Sequence, residues 1–560
     1  MKATHFSPVL IVGAGPTGMT AALELANFGI PSLILTASEG LCEGSRAIAF
    51  HQSTLATWEK LGVGAAMVEK GVAWSARHTF YGTRKLYSQS FPKPERGGLP
   101  RFLNIQQCEV ERLLMAQIVQ NPLIKVRWKC RVNGLEQDSR GVRLCVETHT
   151  GEEHVHGTYV LACDGARSTM RQLLELPFPG ETFQDRFLIA DIRADLDWPQ
   201  EPRFFFNHPS HRGPSVLIHP QPGGIWRIDW QLGANADIEA ERSSEPMDAR
   251  IRALIGDTPY TLEWLSDYRF HQRILDQFRH GQVFFAGDSA HLVAPFGARG
   301  LNSAVHDVEN LCWKIALVLN NGAPDSLLNT YDGERQAAQQ LNQAETNATM
   351  RFMCPQTLWQ RIRRRVVLTL GTWFPSAHKH INSGRMCQPF TYTDSPLNTS
   401  DAQPNLAWPD SLALGSKIND QSCVLLTLEG MRSSHLRQLL GNGFVIFHFT
   451  HSKSDALGLQ AQMAEFDMGI PIQVVPVFQS PPLGAEMHDL AVLDLSGKIA
   501  RSLGARLGAT LLVRPDGHLC ARFRQTDAQD LANAIQRAVG RENTPAQLRH
   551  GRVDHALAAA

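Results

Sequence analysis

Three glycines near the N-terminus, Gly13, Gly15 and Gly18, restrict what this chain can fold into more than any other feature. They follow an apolar run, Pro8-Val-Leu-Ile-Val12, and precede a stretch with Met19, Ala22, Leu23 and Leu25 that Gly29 and Pro31 stop before Ser32-Leu-Ile-Leu35. Strand, tight turn, helix and strand in that order predict a βαβ unit whose first turn is Gly-x-Gly-x-x-Gly, with Pro16 and Thr17 completing it. In such a unit the glycines permit the turn, the approach of backbone to a pyrophosphate and close packing of helix on strand, while the helix N-terminus offers N–H donors. The place where an acid would hold an adenosine ribose is Thr36, with Glu39 three residues on, so that one contact is weakened.

The length of 560 residues leaves room for two or three domains. From about 180 to 280, short β-branched and aromatic stretches such as Ser215-Val-Leu-Ile218 and Trp226-Arg-Ile-Asp-Trp-Gln-Leu232 predict an antiparallel sheet. Val283-Phe-Phe-Ala286 and a helical stretch over 302–319 return the chain to α/β structure. The predicted fold class is α/β (α+β overall). It comprises a Rossmann-like nucleotide-binding domain over 1–180 and 281–375 and an inserted sheet domain over 181–280, with parts of 70–105 possible. A linker over 376–405, rich in Ser, Pro, Asn and Thr, and a C-terminal domain over 406–545 follow.

Fifty-four Lys and Arg balance fifty-four Asp and Glu, so no net field draws nucleic acid or anionic lipid, and neither is expected as a partner. No run of about 18 apolar residues is available to span a membrane, and Val9–Val12 is too short for a signal-peptide core. A cytoplasmic protein is expected. Ten cysteines without a CxxC pair predict neither a metal site nor a dithiol.

Two further motifs carry chemistry. Tyr159-Val-Leu-Ala-Cys163 runs into Asp164-Gly165-Ala-Arg-Ser168-Thr-Met-Arg171, and Gly281-Gln-Val-Phe-Phe-Ala precedes Gly287-Asp288-Ser289-Ala290-His291 and Pro295-Phe-Gly297-Ala-Arg-Gly300-Leu301-Asn302. A carboxylate at the end of a buried strand can accept from a polyol, and a glycine-rich loop feeding a helix N-terminus can face a delocalised anion. Both suit a flavin, with Asp288 on the ribityl chain and residues 300–302 facing the N1/C2 edge of the isoalloxazine.

In this order and at these separations the motifs resemble the single-component FAD-dependent aromatic hydroxylases, the family of p-hydroxybenzoate, phenol and 3-(3-hydroxyphenyl)propionate hydroxylases. The resemblance covers roughly residues 5–375 and extends to Ser45-Arg46-Ala47, Gln107-Cys-Glu-Val-Glu111, Asp307-x-x-Asn310 and Glu334-Arg335. It implies that Arg46 and Gln107 contact FAD, that Asp164 and Arg171 lie in the groove used by flavin and nicotinamide, and that backbone around Pro295 lies beside the reacting ring. It implies NADH or NADPH as electron donor, O2 addition to the reduced flavin as a C4a-hydroperoxide, attack on an electron-rich ring, no metal, and a homodimer. No side chain is assigned as catalytic base. The C-terminal domain resembles the thioredoxin-like domain of the larger phenol-hydroxylase branch, where lack of CxxC leaves packing or dimerisation as its role.

Candidates for lining the substrate pocket are Arg203, His219, Trp226, Arg227, Asp229 and Trp230. Strand alternation separates 226, 228 and 230 from 227 and 229, and either face is open as the ligand face. An inward arginine suits a carboxylated substrate, inward tryptophans a bare phenol or fused ring. The leading function is hydroxylation of a phenolic compound. A tailoring oxygenase of large fused-ring substrates and a non-catalytic flavoprotein scaffold are the alternatives; a halogenase would need a lysine-bearing Trp-x-Trp-x-Ile motif, which is absent.

Overall fold

Val9–Val12 (β1) is buried at every residue, which is why it reads as a continuous apolar run rather than an alternating one. After it come helix α1 (Pro16–Asn27), with proline presetting its first turn, and strand β2 (Ser32–Leu35). Farther along lie α2 (Gln107–Val119), β3 (Ile124–Arg127), β4 (Tyr159–Ala162), β5 (Gly180–Ala194), β6 (Ser215–Gln221) and β7 (Ile225–Leu232). They are followed by α3 (Ser244–Ile255), β8 (Tyr260–Ile274), β9 (Val283–Phe285), α4 (Gly300–Leu319), α5 (Asn329–Met353) and α6 (Leu358–Gly371). The computed structural model describes residues 5–541 except 45, 212, 234–235, 321, 356, 402–407, 409–411, 467–468, 482–489 and 526. Ser45, part of the expected linker and the last residues of the expected C-terminal domain therefore lie outside the described residues.

The chain forms two compact units, one of residues 1–312 and 335–388, the other of 313–334 and 389–560. In the first, a sheet runs in the order β9-β4-β1-β2-β3, all parallel, with the short strand Arg279–His280 antiparallel at the β9 edge. An eight-stranded sheet runs His291–Leu292, β8, β5, β7, β6, Arg203–Phe206, Ala76–Tyr81, Arg84–Ser90. The hairpin at 76–90 thus joins the same sheet as the strands of 180–274, through a parallel pairing of 203–206 with 76–81. Residues 381–388, read from composition as linker, belong to this unit, and Ile381, Ser383 and Cys387 are buried.

The second unit holds a seven-stranded mixed sheet in the order 430–435, 422–427, 491–493, 472–478, 444–449, 510–513, 519–523. Leu436, Phe447, Val475, Val492 and Leu511 form its core. Cys423 and Cys520 are buried there, and burial pushes both thiols up to about 12, so neither provides a thiolate near neutral pH.

Candidate active site

The first turn is built by close approach. Gly13 has φ +109, and its N–H donates to the carbonyl of Leu35 at 2.8 Å. A Cβ there would lie 2.4 Å from the carbonyl oxygen of Cys163, and one on Gly18 would lie 2.1 Å from that of Gly13, so helix and strands tolerate no side chain at either place. Gly15 differs, since a Cβ would meet nothing within 4 Å, and the same holds at Gly165 and Gly300. Two glycines close the turn against the sheet, while the third faces open space. Thr36 follows β2 with a hydroxyl that accepts from the Ser38 N–H, and Glu39 is exposed beside Lys129 at 3.3 Å. Neither supplies a fixed carboxylate.

Strand β4 delivers Asp164 beside this turn. Its Oδ2 accepts from the Met170 N–H at 3.0 Å, while Oδ1 is buried with no partner among the described residues, and burial raises the carboxyl above its ordinary value. Arg171 is 8% exposed; it donates to the carbonyls of Ala166 and Ser289 and lies over the Phe178 ring. It braces the Asp164 turn against the Asp288 turn.

Asp288 follows β9 in a short 3-10 turn, Gly287–Ser289. Its carboxyl is exposed, yet it lies in a recess walled closely enough that lost hydration raises it, with His291 and Arg46 acting the other way. The turn hangs from Asp307 of α4, whose carboxylate accepts from the Gly287 N–H at 2.9 Å, His291 Nε2 at 2.6 Å and Arg335 Nε at 2.7 Å. Burial alone would raise Asp307; His291 and Arg335 overcome it and hold the group well below the usual carboxylate range. A Cβ on Gly287 would lie 2.9 Å from Thr17 Oγ1, so the first and third motifs meet here.

Between them and α4 runs the loop 295–300. Pro295 is exposed and Leu301 half-buried. Gly297 has φ +86, and a Cβ there would lie 2.1 Å from the Arg385 carbonyl oxygen, which also accepts from Arg299. The Cys387 N–H donates to the Gly297 carbonyl at 2.8 Å. Residues 385–387 therefore clamp the loop, a role that composition did not reveal. Asn302 is 1% exposed: its amide donates to the carbonyls of Ala49 and Ala298, and its oxygen accepts from the His51 N–H and Thr54 hydroxyl. Its side chain fixes the start of α4.

Arg46 is exposed on a loop held from two sides. From α2, Gln107 Oε1 accepts from the Ala47 N–H and Glu111 Oε2 from the Cys42 N–H. From β7, Arg227 donates to the Arg46 carbonyl at 2.8 Å while forming a bidentate pair with Asp191 at 2.7 and 2.9 Å. Arg227 is thus neutralised and positions the loop. Asp191, a lone acid within the apolar strand Phe187–Ala194, was the missed partner, and that isolation is the signal that could have found it.

The eight-stranded sheet settles which residues share a face, since cross-strand partners point the same way. Arg203 pairs with Ile218, Ile218 with Ile228, and Pro220 with Trp226. On this face Trp226 and Trp230 pack with Met247 and Ile251 of α3, and Arg203 covers the Trp198 ring. The opposite face carries His219 across from Arg227, and Leu217 across from Asp229. There Phe187, Phe204, Phe206 and Leu217 pack with Ala294 and Phe296 of the loop entering α4. Trp226 and Trp230 are therefore core residues of the far side, whereas His219, Arg227 and Asp229 share the side of Phe296. His219 Nδ1 and Asp229 Oδ1 are buried with no partner among the described residues. Burial, then Arg227 and Arg77, lower His219 to about 3; burial raises Asp229 to about 7 against the pull of Arg227.

Open space before Gly15, Gly165 and Gly300, the orphaned Asp164 oxygen and the exposed Asp288 carboxylate together fit a flavin dinucleotide. The family described as FAD binding domain (FAD_binding_3) matches residues 7–346. The chain is 26% identical over 542 residues to the 3-(3-hydroxy-phenyl)propionate/3-hydroxycinnamic acid hydroxylase of Mycobacterium sp. (strain JLS), covering 94% of this chain and 91% of that protein. To the protein of the same name from Mycolicibacterium smegmatis it is 30% identical over 334 residues, 58% of each chain. The solved structure of the flavin-dependent monooxygenase PieE in complex with FAD and substrate matches with a TM-score of 0.80 at 23% identity, covering 96% of this chain and 99% of that one. The chain belongs to the FAD binding domain family and is a flavin-dependent monooxygenase of the aromatic-hydroxylase kind.

Proposed function

We propose that this monooxygenase hydroxylates a phenolic compound held on the Phe296 side of the eight-stranded sheet, using NADH or NADPH and O2 in the cytoplasm. The observation that carries the reading is the set of buried polar atoms without partners among the described residues on that face, His219 Nδ1, Asp229 Oδ1, Ser266 Oγ and the Gln221 amide, beside Phe187, Phe204 and Leu217. An apolar wall that also carries unsatisfied polar atoms suits an aromatic ring bearing a hydroxyl. Arg227 is already paired with Asp191, and the ring hydroxyl is the group that His219 and Asp229 would meet. Ten cysteines with no disulfide among them suit a reducing compartment.

Gly13, Gly15 and Gly18, Asp164, Asp288, Arg46 and the start of α4 would hold the FAD. Bound flavin supplies electron storage and oxygen activation. The chain's own residues do the rest. The phenylalanines exclude water, His219 stays neutral and fixes the ring hydroxyl, and Asp229 Oδ1, poised near neutrality, takes the hydroxyl proton so that the ring becomes nucleophilic.

The test is anaerobic stopped-flow reduction of the FAD-loaded protein by NADH and by NADPH, with and without phenol, hydroxybenzoate, hydroxyphenylpropionate, nitrophenol and naphthol. One phenol that speeds reduction by orders of magnitude, and is then hydroxylated in air, supports the reading. Reduction indifferent to every phenol overturns it in favour of a large fused-ring substrate.

A further inference from the structure

Helix α6 turns an apolar stripe to solvent. A capping box from Thr357 and Gln360 starts it, and Arg364, Val367, Leu368 and Gly371 face inward, Leu368 entering the core beside Phe206 and Met353. On the outer side Leu358, Ile362, Val366 and Leu370 recur every fourth residue, with exposures of 72%, 44%, 49% and 44%. Trp359 at 78%, Trp373 at 70% and Phe374 at 57% extend the stripe at its ends. A contiguous apolar ridge of this kind marks a surface built to be covered.

Charge says by what. Arg361 and Arg365 flank one edge of the stripe and Arg363 the other, all three exposed. Arg84, from the neighbouring strand Arg84–Ser90, lies 5.5 Å from the Trp373 ring, and Lys379 is exposed in the turn that follows α6. No Asp or Glu occurs between Glu345 and Asp394, nor within 84–90. A second copy on this face would set arginine rows against each other with no acid in the helix to pair them. The charge balance of the whole chain hides this local segregation.

We propose that α6 docks the enzyme on the surface of a membrane containing anionic lipid. The apolar stripe enters the headgroup boundary, the two tryptophans sit at its level, and the arginines meet lipid phosphates. Among the described residues no helix is long and apolar enough to cross a membrane, so α6 lies on the surface rather than spanning it. This docking is independent of which phenol the enzyme takes.

The test is sedimentation of the FAD-loaded full chain with vesicles of phosphatidylcholine alone and of phosphatidylcholine with phosphatidylglycerol in equal parts. Wild type should bind the anionic vesicles only, with a blue shift of tryptophan emission, and release at about 1 M salt, where the screening length falls to about 3 Å. R361Q/R363Q/R365Q should weaken binding roughly a hundredfold, about fivefold per arginine. L358S/W359S/I362S should abolish binding while both variants keep their FAD and their turnover of a soluble phenol. Wild type that binds neither vesicle, or both equally, overturns the proposal. So does wild type sedimenting alone as a dimer that L358S/W359S/I362S converts to monomer, which would give the face to a second copy.

Discussion

A carboxyl raised to about 7 in the fold and ordinarily at 3.8 makes Asp229 a destabilising residue kept in place. Its protonated form is favoured in the native state, so its penalty is absent below the unfolded value, grows as pH climbs from about 4 to 7, and is constant above. Three pKa steps correspond to at most about 4 kcal/mol, less where substrate or water reaches the group. Asp229→Asn should therefore gain Tm over wild type, by a margin that widens from pH 4 to about 7 and then levels, measured by thermal scans across pH. The same variant should lose kcat with phenols more than it changes KM, because an amide cannot take the proton. A margin independent of pH would show that Asp229 is already ionised in the native protein. Alternation in Trp226–Leu232 separated Asp229 from the tryptophans in the sequence itself. Which face meets the loop was not legible there, because it depends on where α3 packs, some twenty residues on.

At the scale of elements, the candidate site is three strand ends held in register by buried charges. Asp307 on α4 illustrates this, since one carboxylate holds the Gly287 N–H, His291 and Arg335. Asp307→Asn leaves Arg335 buried without its anion, a loss on the order of 3–5 kcal/mol. The variant should melt well below wild type and purify with little FAD, because the Asp288 turn loses its anchor; unchanged FAD content and Tm in absorbance and calorimetry would refute that role. The βαβ unit, the Asp288 turn and the start of α4 were legible because each is local: strand, glycine turn and helix lie within a few residues. The bracing role of Asn302 at the start of α4 was not legible, since its partners Ala49, His51 and Thr54 lie some 250 residues earlier. The clamp of 385–387 on Gly297 was illegible for the same reason, its Ser, Gly and Asn neighbours reading as linker.

For the whole molecule, composition marks a boundary at about 376–405, whereas the compact units divide the chain inside α4 and α5 as well. Residues 313–334 belong with 389–560, and within that unit they carry a buried charge cluster. Glu334 accepts from Arg514 at 2.5 Å and Lys314 at 2.8 Å, Arg514 pairs with Asp516, and Trp313 Nε1 donates to Asp516 at 3.3 Å. Burial would raise Glu334, but Arg514 and Lys314 hold it well below the usual range, so its contribution is present above about pH 4.5 and fades as acid protonates it. A chain ending at Gln388 keeps Trp313, Lys314, Tyr331 and Glu334 but loses Arg514 and Asp516, leaving apolar and charged groups that the full chain buries without their partners. Such a truncation, made where the sequence places a linker, should express largely insoluble, or bind a hydrophobic dye and melt well below the full chain. Arg514→Gln in the full chain should reproduce part of the loss, on the order of 3–5 kcal/mol, and flatten the acid limb of stability that Glu334 supplies. A soluble 1–388 chain that retains FAD and the Tm of the full protein would instead make the C-terminal residues an appendage.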